Sequence, residues 1–312
     1  MLVWFRRFVR ISLISVFLVI AAGGIVRMTG AGMGCPDWPK CFGQYIPPTD
    51  VSQLPTDYKE IFKVQGKEIA DFSAFKTWIE YLNRLVGALL GLFLLVTTVI
   101  SVFLWKRDKW LFLASFFILL LTAFQAWLGA LVVASNLAPV RITTHMVVAL
   151  IIAALVMWLL DRANTMIGKS RQSFRITHFR GLLFIAMAFT IVQVALGTQV
   201  REEIDHIAAE ISDRSQWIEG LSTLFYVHRS FSIIILGLNV FIIYQISRQI
   251  PFFDHLPSQL VAASLLLNIF TGVIFNYAGF PAFAQPIHLF AGAVLFTAQY
   301  AMFLQARRIQ VP

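Results

Sequence analysis

The chain has 312 residues, of which 58% are hydrophobic and 13% charged, and a mean hydropathy of +0.76. That balance excludes a soluble globular domain of this size. The net charge of +9 is not spread along one face, as nucleic-acid binding requires. It gathers in alternate connecting segments and reads as membrane topology.

In chain order, apolar runs near the roughly 20 residues that cross a hydrocarbon core predict eight transmembrane helices, at 8–28, 77–105, 110–134, 139–161, 180–200, 221–246, 258–277 and 283–305. The first follows basic residues, as a signal peptide does, but no small-residue cleavage site follows it, so it is expected to be retained. Arg6, Arg7, Arg10, Lys106, Arg107, Lys109, Arg162, Lys169, Arg171, Arg175, Arg180, Arg248, Arg307 and Arg308 fall on one side, with only Asp108, Asp161 and Asp254 among them. The opposite segments are acidic or balanced, most clearly Glu202, Glu203, Asp205, Glu210, Asp213 and Glu219 between the fifth and sixth spans. The positive-inside rule then puts both termini in the cytoplasm. Cys35 and Cys41 lie in the long first outer loop, 29–76, where an oxidising compartment permits a short disulfide.

The spans repeat. Tyr81-Leu82-Asn83-Arg84 matches Tyr226-Val227-His228-Arg229, Gln125 and Gly129 match Asn268 and Gly272, and His145 matches His288. Gly23 to Arg27 matches Gly197 to Arg201, each stretch ending Val-Arg. A repeat of four spans keeps both halves in one orientation. The expected fold is an all-α integral membrane protein of two pseudo-symmetric four-helix bundles. The N-terminal half covers 1–161, a cytoplasmic linker 162–179, and the C-terminal half 180–312.

Spans two, four, six and eight enter from outside and carry Asn83, His145, His228 and His288 at one depth, roughly 10 Å in. Imidazoles on facing helices at one depth suit an axially ligated haem, and buried polar groups in lipid tend to be functional. Each histidine alone also reads as a hydrogen-bonded core residue. Arg27, Arg84, Arg141, Arg201 and Arg229 sit at the outer span ends, where arginine is unexpected. Haem propionates offer bidentate partners there, and snorkelling to lipid headgroups is the alternative. Glu80 lies on the helical face of Asn83, placed either to move protons or to pair with Arg84 one turn on. His178, His206 and His255, at loops or span ends, are read as solvated and receive no role.

The run Gly24 to Gly43, which holds Arg27, Cys35-Pro-Asp-Trp-Pro and Cys41, closely resembles the haem A synthase family, as do Glu80-Tyr-Leu-Asn83-Arg84, His145, His228-Arg229 and His288. The resemblance covers nearly the whole chain. It implies oxidation of the C8 methyl of haem O to a formyl group by successive hydroxylations. It also implies haem b on His228 and His288, substrate haem in the first half with Glu80 and His145 as the catalytic pair, and Cys35 with Cys41 as the outer-loop pair. Implied partners are membrane lipid, haem O and haem A, haem O synthase, cytochrome oxidase assembly components and an electron donor, in a bacterial inner membrane; a homo-oligomer is left open. One departure stands out: Asn83 occupies the family's histidine position, so a haem held by His145 alone keeps one axial position open. A haem b electron carrier and a haem-delivery factor without oxidation activity fit the same residues.

Overall fold

A computed structural model of the chain describes residues 1–168, 174–175 and 179–307. Lys169, Arg171, His178, Arg308 and part of the expected linker lie outside the described residues. Eight long apolar helices account for most of the rest. They are α1 (Leu2–Met28), α3 (Ala74–Val102), α4 (Lys109–Ala134), α5 (Pro139–Met166), α6 (Phe179–Glu210), α7 (Thr223–Ser247), α8 (Leu256–Tyr277) and α9 (Ala284–Gln305), with a single turn, α2 (Tyr58–Ile61), between the first two. Two short strands, β1 (Phe174–Arg175) and β2 (Ala306–Arg307), pair in parallel.

Three of the long helices begin at side-chain caps. Ser73, Asp108 and Ser222 each accept a backbone N–H from the first turn of α3, α4 and α7, which satisfies donors that a helix end otherwise leaves bare. The expected spans agree with the observed helices to within three residues at most ends, but α1 starts at Leu2 where 8 was expected, α5 runs to Met166 where 161 was expected, and one end needs a larger correction. The fifth span, α6, runs on to Glu210 instead of ending near residue 200, so Glu202, Glu203, Asp205 and Glu210 belong to a helix, not to a loop. Ion pairing of Arg201 with Asp205 at 2.8 Å supports the added turns.

The chain divides into two compact units, Met1–Ile152 and Ala153–Pro312. In the first, α1 packs on α3 and α3 on α4. Its segment between α1 and α3 folds around Cys35, Cys41, Phe42, Leu54 and Ile69, with the Phe42 ring edge-on to Phe62 and Phe72. In the second unit α6 packs against α7 and α9, and α8 against α7 and α9, so the four close into a ring. A polar chain crosses its buried interior. Thr190 donates to Gln299, whose amide donates to Asn239 Oδ1 at 2.9 Å, while Asn239 donates to the carbonyl of Ile235 on its own helix.

His255 corrects the expectation of a solvated histidine. It is 0% exposed, with Nδ1 2.6 Å from Ser258 Oγ and Nε2 2.6 Å from Gln305 Oε1, and its ring stands edge-on to Phe174. The imidazole clasps the start of α8 to the end of α9. Burial pushes its pKa below the ordinary value, against a smaller opposing effect of Gln305. A histidine that the fold keeps neutral contributes stability that is lost as pH falls through its unfolded value, about 6.5. Thermal unfolding in detergent should therefore show a melting temperature that drops between about pH 7.5 and pH 5.5, and His255→Gln should make that drop shallower.

Candidate functional site

The first-unit site is built on the second and third turns of α3. Glu80 is 4% exposed. Its Oε2 accepts the Cys35 backbone N–H at 2.8 Å and its Oε1 accepts from Arg84 Nη2 at 2.6 Å. Arg84 Nη2 also donates to the Cys35 carbonyl at 2.8 Å, and Nη1 donates to the carbonyls of Asp37 and Lys40 at 2.7 and 3.0 Å. One guanidinium thus gathers three carbonyls of the cysteine loop and one carboxylate, a set of charge-assisted bonds worth more than neutral ones. Cys35 and Cys41 are disulfide-bonded. Asp37 closes the loop by accepting the N–H groups of Phe42 and Gly43 at 2.6 and 2.8 Å.

The loop lies hard against α3. Thr77 Oγ1 donates to the Gly34 carbonyl at 2.9 Å, and a Cβ on Gly34 would stand 2.5 Å from the Lys76 carbonyl oxygen. Only glycine allows that approach. Of the two readings of Glu80, the ion pair with Arg84 is present, and the acid is at the same time an anchor for the loop. Asn83, one turn from Glu80, is partly buried and its Oδ1 has no partner.

His145 sits near the start of α5 against α4. Gln125 Nε2 donates to the His145 backbone carbonyl at 2.8 Å, and the ring lies over Gly129, where a Cβ would be 3.3 Å from Cε1. Its Nδ1 is buried without a hydrogen-bond partner.

In the second unit, His228 on α7 and His288 on α9 face one another with ring centroids 6.4 Å apart. Two imidazoles that shared one metal, each through a bond of about 2 Å, would stand about 6 Å apart centre to centre, so His228 and His288 are the residues that would hold a haem here. The observed spacing fits a haem iron between them. His288 Nδ1 lies 2.7 Å from Thr271 Oγ1. The same hydroxyl lies 2.7 Å from the Leu267 carbonyl and 3.1 Å from that of Asn268. With its one proton on either carbonyl the hydroxyl accepts from His288 Nδ1–H, and that tautomer leaves Nε2 bare for a metal. Phe275 closes the edge of the same ring. His228 is seated by α6: Gln193 Nε2 donates to its backbone carbonyl at 2.9 Å and its ring lies over Gly197.

Of the remaining arginines, Arg229 is exposed and stacks over Tyr226, Arg141 is exposed and donates to the Leu131 carbonyl, Arg201 pairs with Asp205, and Arg27 is half-buried near the end of α1. His206 is exposed on the α6 extension. Among the described residues no group of three or more His, Cys, Asp or Glu converges as a metal cage. Sequence reasoning missed Thr271 and Gln193, and used Gln125 and Gly197 only as marks of the repeat. A signal for the last three was present: Gln125-Ala-Trp-Leu-Gly129 and Gln193-Val-Ala-Leu-Gly197 each sit on the helix before a histidine-bearing one.

Eight helices long and apolar enough to cross a membrane define a multi-pass membrane protein. The chain belongs to the COX15-CtaA family of cytochrome oxidase assembly proteins, which it matches over residues 6–300. It is similar to the haem A synthase of Shewanella oneidensis, at 30% identity over 60% of this chain and 54% of that one. It is also similar to those of Flavobacterium johnsoniae, at 24% identity over 74% of this chain and 76% of that one, and Bartonella quintana, at 23% over 86% and 84%. The matched stretch is thus about half of the Shewanella protein and most of the other two. With these bacterial relatives, the eight helices place the chain in the bacterial inner membrane.

The clamp on the cysteine loop generates a test. Arg84→Lys keeps the charge but cannot reach three carbonyls and a carboxylate with one fork. Losing several charge-assisted bonds of about 1.5–3 kcal/mol each should free the loop. Amide hydrogen exchange across Cys35–Gly43 is expected to rise by at least about tenfold, with the helices of the second unit unchanged.

Proposed function

We propose that the chain is a membrane oxidoreductase that converts haem O to haem A by oxidising the C8 methyl group to a formyl group. The observation that carries this is the difference between the halves. The second offers two imidazoles at the spacing of a shared axial iron, while the matching first-half positions hold one imidazole, His145, and Asn83. A closed pair suits a resident haem b that carries electrons; an open position suits a substrate haem whose periphery is to be oxidised. The family membership and the names of the relatives support the same reading.

In this reading the chain forms two pseudo-symmetric four-helix bundles, 1–161 and 180–312, joined by 162–179, with both termini cytoplasmic. His228 and His288 hold haem b, which when bound supplies one-electron transfer. His145 holds haem O in the first bundle. Glu80, beside Arg84, assists proton movement at the substrate, and the same residue keeps the disulfide loop in place. Arg84 spends its donors on that loop. The exposed Arg141 and Arg229, with Arg27 and Arg201, are then the candidates for propionates. Haem O synthase is the source of the substrate, and cytochrome oxidase assembly components receive the product.

Supplying haem O, reductant and dioxygen, the oxidant and oxygen source for the conversion of methyl to formyl, to the purified protein and extracting the haems tests the reaction. Haem A or its hydroxylated precursor is expected; unaltered haem alone identifies a haem b carrier, and transfer without turnover a delivery factor. His228→Ala or His288→Ala should abolish the low-spin haem spectrum, and an unchanged spectrum removes that residue as a ligand. Asn83→His should convert high-spin first-half haem towards low spin. Indifference to that change means that no haem iron sits near residue 83.

A further inference from the structure

His145 and His228 are seated by the same device, although the helices that carry them are not partners in the four-span repeat. In each case the preceding helix presents Gln-x-x-Leu-Gly, with glutamine and glycine one turn apart on one face. The glutamine amide donates across the helix pair to the histidine's own backbone carbonyl, at 2.8 Å for Gln125 and 2.9 Å for Gln193. This sets the height of the histidine Cα against the neighbouring helix. The glycine then leaves bare backbone beneath the ring. A Cβ there would stand 3.3 Å from His145 Cε1 at Gly129 and 3.1 Å from His228 Cε1 at Gly197.

The other two positions lack the device. Asn268, the repeat partner of Gln125, turns its amide to the Ser264 carbonyl of its own helix. Gly272 and Gly23, the partners of Gly129 and Gly197, would carry a Cβ that meets nothing within 4 Å. His288 is held instead through Thr271, and residue 83 is not a histidine. Neither latch is explained by helix packing alone, since a leucine on each helix would satisfy an apolar interface without leaving glutamine Oε1 and histidine Nδ1 unpaired, as both seats do.

We infer that Gln125 with Gly129, and Gln193 with Gly197, are positioning residues that aim the imidazoles of His145 and His228 at their irons. The inference rests on the haem-ligand reading above. Residues that orient a metal-ligating histidine typically change metal affinity by about 10–100-fold when replaced. A two-point seat of amide and bare backbone fixes both the Cα and the ring plane. Because the first-half seat is built like the second, His145 is prepared as an axial ligand even though it has no histidine partner.

The test uses the purified full-length chain loaded with haem b, read by haem titration and by electron paramagnetic resonance of the ferric low-spin signal. Gly197→Ala and Gln193→Met should each weaken haem retention by about tenfold and shift the low-spin g-values. Gly272→Ala, equally within a span but sterically free, should change neither. Gly129→Ala should spare the low-spin signal and alter only the haem held through His145. If Gly197→Ala fails to accumulate, Gln193→Met, which adds no bulk, decides the matter. The inference is overturned if Gly197→Ala and Gln193→Met match wild type, or if Gly272→Ala perturbs the signal as much as they do. Absence of a low-spin signal that His228→Ala removes from the wild-type protein sinks the haem-ligand reading itself.

Discussion

No water reaches the hydrocarbon core, so every peptide group there is paired within its own helix and every buried polar side chain has to find its partner on the protein. The eight helices of this chain follow from the first half of that constraint. The second half sets how they are registered. Apolar faces in lipid pack without strong preference for one height, because lipid tails are as apolar as leucine. A few polar contacts therefore carry the alignment. Gln299 bridges Thr190 and Asn239 across three helices of the second unit, His255 ties α8 to α9, and Gln125 and Gln193 tie α4 to α5 and α6 to α7.

The same constraint explains the cysteine loop. A carboxylate and a guanidinium that are nearly buried at the membrane edge are stable only with their hydrogen-bonding capacity filled. Glu80 and Arg84 fill theirs with the backbone around Cys35, Asp37 and Lys40. The loop is held to the turn of α3 that carries Asn83, and Gly34 is the point at which the two backbones meet. The first unit thus has an ordered cover next to its candidate site, built on one ion pair and a mini-core of aromatic rings.

The histidines differ in what fixes them. For His288 the contact is the Thr271 hydroxyl of the neighbouring helix, which also faces the Leu267 carbonyl. For His145 and His228 a neighbouring helix sets backbone height and ring plane, with no acceptor offered to Nδ1.

Composition, span length and charge asymmetry by themselves determined a multi-pass membrane protein with its helices in place, because crossing lipid requires a long apolar run whatever the tertiary contacts. The repeat pointed to His228 and His288, and the family motif to Glu80, Arg84, His145 and the cysteines, since those residue types are too costly in lipid to stand there without cause. Three matters were decided only by tertiary structure. Arg84 was legible as a cation at the membrane edge able to pair with Glu80, but the carbonyls it gathers lie more than 40 residues away in sequence. His255 looked like a loop residue because the groups that bury it, Gln305 and Phe174, come from remote segments. Thr271 carried no signal of its own, as threonines are common in apolar helices. Its meaning comes from its contact with His288, which exists only once α8 and α9 are side by side.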